Sequence, residues 1–141
     1  MKQLIILTIG AIAFSSCNTS PCAFNIDKLE ILAKFNVPKL DKGLYHCNQI
    51  DNIKISFMDI ATDKLTEGTI DDFLEQYSFS KENAIHPSQL RSWETLPDDF
   101  KDIIPVKADF YVKKANNSKT DWIVIIERNT GYMWAEIEYK E

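Results

Sequence analysis

The sequence predicts an α+β fold: a single domain whose antiparallel sheet ends in a C-terminal β-hairpin, with several short helices packed on one face. Three observations point there. The last third carries three strand-like segments separated by polar turns. Earlier segments show apolar residues at helical spacing behind capping residues. No internal repeat or long linker divides the chain.

The elements follow in order. Asn25 is a natural N-cap, and Ile26, Leu29, Leu32, Ala33 and Phe35 keep helical spacing to about Asn36, before Pro38 stops the helix. Lys42-Gly43 reads as a turn, Leu44 to Gln49 as a short strand, and Ile50-Asp51-Asn52 as a second turn. Ile53, Ile55 and Phe57 then alternate with Lys54, Ser56 and Met58, the pattern of a half-buried strand. Thr69 followed by Asp72 has capping-box spacing, with Ile70, Phe73, Leu74 and Tyr77 forming the apolar face behind it. Between Ser78 and Leu96 one short helix fits at Pro87 to Glu94. Pro97, Asp98 and Asp99 start another, whose buried side is Phe100, Ile103 and Ile104.

Ala108 to Lys114 reads as a strand, Asn116 to Asp121 as a polar loop, and Trp122 to Arg128 as a strand apolar on both faces. Asn129-Thr130-Gly131 predicts a three-residue turn with a G1 bulge into Tyr132 to Lys140. In that register Arg128 faces Tyr132, Ile126 faces Trp134, Val124 faces Glu136 and Trp122 faces Glu138. Ile123, Ile125, Met133, Ala135, Ile137 and Tyr139 form the core side.

Composition bounds the function. The chain has 141 residues, 45% hydrophobic and 26% charged, with 21 acidic against 16 basic side chains and only four Gly and five Pro. These values exclude fibrous, low-complexity and polytopic membrane classes. With residues 1–16 removed, 15 basic and 21 acidic side chains leave a charge of −6. No basic patch remains for a phosphate backbone, so nucleic acid is not an expected partner.

Met1-Lys2 is a short positive start, and Leu4 to Phe14 is an uncharged, largely apolar run too short to span a bilayer. It ends at Phe14-Ser15-Ser16-Cys17, which resembles the lipobox of bacterial lipoproteins, with Phe14 in place of the common Leu and Ser16 in place of Gly or Ala. The resemblance covers about the first twenty residues. It implies cleavage after Ser16 and acylation of Cys17, which becomes the first mature residue. It also implies a multiply acylated membrane anchor, stable where a single chain is marginal. Residues 1–16 are then a removed signal peptide, 17–24 a lipidated short tether, and 25–141 the globular domain. Asn18 rather than Asp after the cysteine favours, by resemblance to Gram-negative sorting, the outer membrane facing the periplasm. The alternative is an ordinary secretory signal cut after Ala11-Ile12-Ala13, which leaves three cysteines and one unpaired thiol. If Cys17 carries lipid, Cys22 and Cys47 remain as an even pair in an oxidising compartment. A bridge between them would stabilise by roughly 3 kcal/mol on the chain-entropy model; two buried free thiols are the alternative.

Signals for chemistry are sparse. His46 and His86 lack partners at zinc-like spacing, and Asp59, Asp63 and Glu67 lack the pattern of a calcium loop, so neither metal nor cofactor is expected. His46 and Cys47 are adjacent on a strand and face opposite ways. No catalytic residue is assigned. Glu136 and Glu138 share a strand face at ~6.5–7 Å, a separation that overlaps that of glycosidase carboxylates. The expected outer face of the hairpin gathers Trp122, Arg128, Tyr132, Trp134, Glu136 and Glu138, residue types that dominate binding hot spots. A helix such as Thr69 to Tyr77 covering that face would turn both tryptophans into core. The leading expectation is a noncatalytic envelope lipoprotein, anchored to the membrane by its lipid. It binds a protein partner of basic character, in the manner of an inhibitor or immunity protein. The alternatives are an envelope hydrolase acting on sugar or peptide, using Glu136, Glu138 and His46, and a purely structural envelope component.

Overall fold

The computed structural model describes residues 21–36, 45–50, 53–59, 69–91 and 93–141; for 21–26, 45–50 and 53–59 the backbone alone is described. Among the described residues, two α-helices, α1 (Pro21–Ala33) and α2 (Ile70–Gln76), accompany six strands. The strands are β1 (Tyr45–Ile50), β2 (Ile53–Asp59), β3 (Ser80–Lys81), β4 (Phe110–Asn116), β5 (Thr120–Glu127) and β6 (Tyr132–Tyr139). They form one antiparallel sheet in the order β1-β2-β6-β5-β4-β3. The fold is α+β, as the strand and cap patterns predict.

Both α-helices lie on one face. Leu29, Ala33 and Phe35 from the α1 region and Phe73, Leu74 and Phe79 from the α2 region pack on Trp122, Val124, Ile126, Met133, Ala135 and Ile137. The other face is covered by three 3₁₀ turns, Pro87–Gln89, Trp93–Thr95 and Asp98–Phe100. Leu90, Leu96 and Phe100 there bury Phe110, Val112, Ile125 and Trp134. The sheet is thus the middle layer of three, and β5 is apolar on both sides because both sides are covered.

α2 forms where its cap lies. Thr69 Oγ1 accepts the Asp72 N–H at 3.3 Å, and Asp72 Oδ2 accepts the Thr69 N–H at 2.7 Å, so two otherwise orphaned donors are satisfied. The helix ends in a Schellman arrangement: Ser78 N–H donates to Glu75 O at 3.1 Å and Phe79 N–H to Leu74 O at 2.9 Å. Phe79 closes the motif on Phe73, ring centroids 6.0 Å apart. Ser78 stands at φ +56°, where a side chain is unfavourable. Ser78→Gly should therefore stabilise the domain by roughly 1 kcal/mol. The expected result is a Tm higher by several degrees in differential scanning calorimetry; an unchanged or lower Tm would contradict the strain. Lys113 from β4 then ties the helix end to the sheet, donating from Nζ to Tyr77 O at 2.7 Å above the Phe79 ring.

Three expectations need correction. α1 begins at Pro21, not behind Asn25, because Pro is pre-organised for the first helical turn; Asn25 lies inside the helix. The segment 87–94 holds two 3₁₀ turns rather than one helix, and a 3₁₀ turn at Asp98–Phe100 takes the place of the helix after Pro97. Most consequentially, the β5–β6 register is one residue away from the expected one. Val124 faces Ala135, Ile125 faces Trp134, Ile123 faces Glu136 and Trp122 faces Ile137. The cause is Glu127. Its buried carboxylate accepts from Asp109 N–H (3.0 Å), Thr130 N–H (2.8 Å), Thr130 Oγ1–H (2.7 Å) and Asn129 Nδ2–H (3.1 Å). Glu127 is thereby held as the last strand residue, and Arg128 falls in a four-residue loop closed by Gly131 at φ +73°. The expected three-residue turn would have kept Arg128 in the strand.

Cys17 and the leader, the turn at 51–52, and Asp63 and Glu67 lie outside the described residues. Cys22 falls on α1 and Cys47 on β1, two elements that touch, while their side chains lie outside what is described. Among the described residues, no helix is long and apolar enough to cross a membrane.

Candidate functional site

A cleft opens on the sheet face away from the α-helices. Its floor follows from the register. Lys114, Ile123 and Glu136 form one row across β4, β5 and β6, and Asn116, Asp121 and Glu138 form the next. Neighbours in a row stand ~4.8 Å apart along the sheet, and the rows are ~6.5–7 Å apart along the strands. Apolar Ile123 is therefore bracketed by charged and polar side chains.

The segment Ile85 to Arg91 forms the opposing wall. His86 caps the first 3₁₀ turn: its Nδ1 accepts the Ser88 N–H at 3.1 Å, and Pro87 follows at the first turn position. The His86 ring stands edge-on to Phe110, centroids 5.3 Å apart, and Leu90 is buried in the core beneath. These anchors fix the turn and leave Gln89 and Arg91 along the rim. Between wall and floor is a space of about 600 Å³, lined by apolar Ile85, Leu90, Ile123 and Ile125. The size falls within the range of small-ligand and side-chain pockets, which pair an apolar lining with a few polar groups.

Three acidic and two basic side chains line the space: Asp121, Glu136 and Glu138 against Arg91 and Lys114. Arg91 forms an ion pair with Glu138 from across the wall. Lys140 holds Asp121 at 2.7 Å, and Lys114 holds Glu82 at 3.0 Å. Glu136 lies deepest, 7% exposed, at the floor. Among the described residues, no group of three or more His, Cys, Asp or Glu is arranged to hold a metal ion.

The six residues expected on one binding face are divided. Glu136 and Glu138 line the cleft. Trp134 is on the same sheet face but 1% exposed within the core, and Tyr132 packs edge-on against it with centroids 6.3 Å apart. Trp122 is buried on the opposite face, beneath the helices. Arg128, in the hairpin loop, makes a two-pronged pair with Asp71 of α2: Nε to Oδ1 at 2.5 Å and a terminal nitrogen to Oδ2 at 2.6 Å. That bonding and the opposite charge hold the Arg128 guanidinium above its ordinary pKa, and the hydrogen bond from Arg128 holds Asp71 below the usual carboxylate range. His46 lies on β1, separated from β6 by β2, and its side chain is not described.

Sequence reasoning missed Gln89 and Arg91, and gave His86 no role. Only the His86-Pro87-Ser88 cap carries a local signal. The approach of Arg91 to Glu138 spans 47 positions and arises from the tertiary path of the 3₁₀ segment. No family model, curated protein or solved structure matches the chain.

Proposed function

We propose that this chain is a lipid-anchored lipoprotein of the bacterial cell envelope that acts as a noncatalytic binding module for a protein partner of basic character, in the manner of an inhibitor or immunity protein. The observation that supports it most is the open cleft, in which apolar Ile85, Leu90, Ile123 and Ile125 stand among the amides of Gln89 and Asn116 and three acidic against two basic side chains. Such a lining recognises a cationic, partly apolar surface, and the acidic balance of the chain would steer that partner inward. The leader-like segment ending at Cys17 supports the anchor and the outer membrane as the place of work, and the pairing of Cys22 with Cys47 belongs to the same reading.

The hydrolase reading draws on the same cleft, because Glu136 and Glu138 line it together; the lining histidine is His86 rather than the His46 that reading invoked. The binding reading is preferred because Arg91 and Lys140 already seat cations on Glu138 and Asp121, an intramolecular instance of the contact proposed for the partner.

The test places a photo-crosslinking residue at Asn116 in the full chain, expressed in a bacterial envelope. The expected result is a discrete protein adduct that disappears in a Gln89→Trp background, where the cleft rim is filled. Incorporation of a labelled fatty acid and membrane fractionation should both be lost in Cys17→Ala. Label persisting in Cys17→Ala would sink the anchor, and an adduct indifferent to Gln89→Trp would sink the cleft as the site.

A further inference from the structure

Resting on the binding-module reading, we infer that the cleft receives an arginine side chain from an extended segment of the partner protein, its guanidinium meeting Glu136 and Glu138 and its aliphatic stem lying on Ile123 and Leu90.

The chemistry of the lining narrows the ligand. Glu136 and Glu138 lie on one face of β6 at ~6.5–7 Å backbone spacing, so a planar fork with five donors spread over three nitrogens can address both, whereas an ammonium presents three donors from a single nitrogen. The guanidinium is also the more weakly hydrated cation and loses less on entering a partly apolar space. Glu136 is 7% exposed, and attraction to a cation there is screened less than at an open surface.

The chain supplies its own demonstration of fit. Arg91 reaches over the wall and places a guanidinium on Glu138. Its side chain is 64% exposed while that of Glu138 is 20% exposed, so the acceptor is set in the cleft and the donor comes from outside. An exposed pair of this kind is worth little, and an incoming guanidinium with more apolar contact can displace it. Arg91 is thus an internal competitor for the position the partner's arginine takes.

A peptide fits better than free arginine. Gln89 stands on the wall and Asn116 at the β4 side of the floor. Although Gln89 Nε2 donates to Ala84 O at 3.5 Å and Asn116 Oδ1 accepts from Lys140 Nζ at 3.0 Å, each amide has a second polar group that can match a peptide backbone on either side of the inserted side chain. Free arginine carries a carboxylate that Glu136 and Glu138 would repel.

The test uses the full-length lipidated chain in detergent micelles and the blocked peptide Ala-Leu-Arg-Leu-Ala, with amide shifts of Ile123 and Gln89 followed by NMR. Saturable shifts are expected. Replacing Arg with uncharged citrulline should weaken binding about tenfold. Free arginine should bind more weakly than the peptide, and binding to the peptide should fall as salt rises. Glu138→Gln should weaken binding several-fold, and Glu136→Gln should do the same if its melting temperature confirms a folded chain. Arg91→Ala removes an exposed side chain and should tighten binding about two- to fivefold by removing the competitor. Equal affinity for the arginine and citrulline peptides, or weaker binding in Arg91→Ala, would overturn the inference. So would the absence of any peptide binding. Each of these results can occur while the Asn116 adduct still forms and still depends on Gln89, in which case the cleft stands as the site and only the arginine assignment fails.

Discussion

Trp134→Ala lowers the stability of the domain by about 3–5 kcal/mol, the usual cost of emptying a large aromatic site in a packed core. The indole is 1% exposed, packs edge-on against Phe110 with centroids 6.4 Å apart, and lies among Leu90, Leu96, Phe100 and Ile125. Ordinary domains hold about 5–15 kcal/mol in total, so a loss of this size leaves the variant marginal. Urea denaturation followed by circular dichroism measures it. A loss below about 1 kcal/mol would mean the indole is not core and that the layer of 3₁₀ turns does not cover it. The same burial agrees with the reading that covering the hairpin turns its tryptophans into core, although 3₁₀ turns rather than α2 cover Trp134. Its removal is felt at the cleft only indirectly, through the floor and wall that it supports.

Glu127→Gln costs about 2–3 kcal/mol at neutral pH, because a charged acceptor of four hydrogen bonds is replaced by an amide that turns a donor toward donors. The effect carries a pH signature. Burial alone would push the Glu127 carboxyl up, but the bonds from Asp109, Thr130 and Asn129 outweigh it and hold the group below its ordinary value of 4.5. A carboxylate depressed in the folded state contributes its stability above the unfolded value. It loses that contribution as pH falls through the lower, folded value. The gap between the native chain and Glu127→Gln should therefore be full at pH 6–7 and close progressively below about 4.5. Denaturation curves at a series of pH values check this. A gap that stays constant down to pH 3 would show that Glu127 acts through shape alone and not through charge.

Much of the fold was legible because its signals are local. The Thr69–Asp72 box, the apolar runs of the last three strands and the turn at Gly131 each sit within a few residues, and each marks a real element. The register was not legible for a physical reason. β5 reads Trp-Ile-Val-Ile-Ile from Trp122 to Ile126, apolar on both faces, so a shift of one residue exchanges one apolar row for another and the pattern loses its power to choose. What decides is the Glu127 carboxylate reaching Asp109, just before β4, as well as its own loop, a contact that no hairpin propensity contains. The candidate site shared that fate. Glu136 and Glu138 were recognisable as a same-face pair, and the structure places both in the cleft. The wall facing them is built from 3₁₀ turns, whose short irregular pattern has no strong period to read. Grouping Trp122 and Arg128 with the glutamates followed from the register alone and fell with it.

The binding reading depends on that register, since only one pairing of β5 with β6 sets Ile123 beside Glu136 and Asp121 beside Glu138 beneath the Arg91 wall. Cross-strand proton contacts in an NMR spectrum of the folded chain test it most directly. Contacts joining Val124 to Ala135 and Trp122 to Ile137 are the expected result. Contacts joining Val124 to Glu136 and Trp122 to Glu138 instead would turn Trp122 toward the glutamates, dismantle the cleft floor and contradict the proposed site.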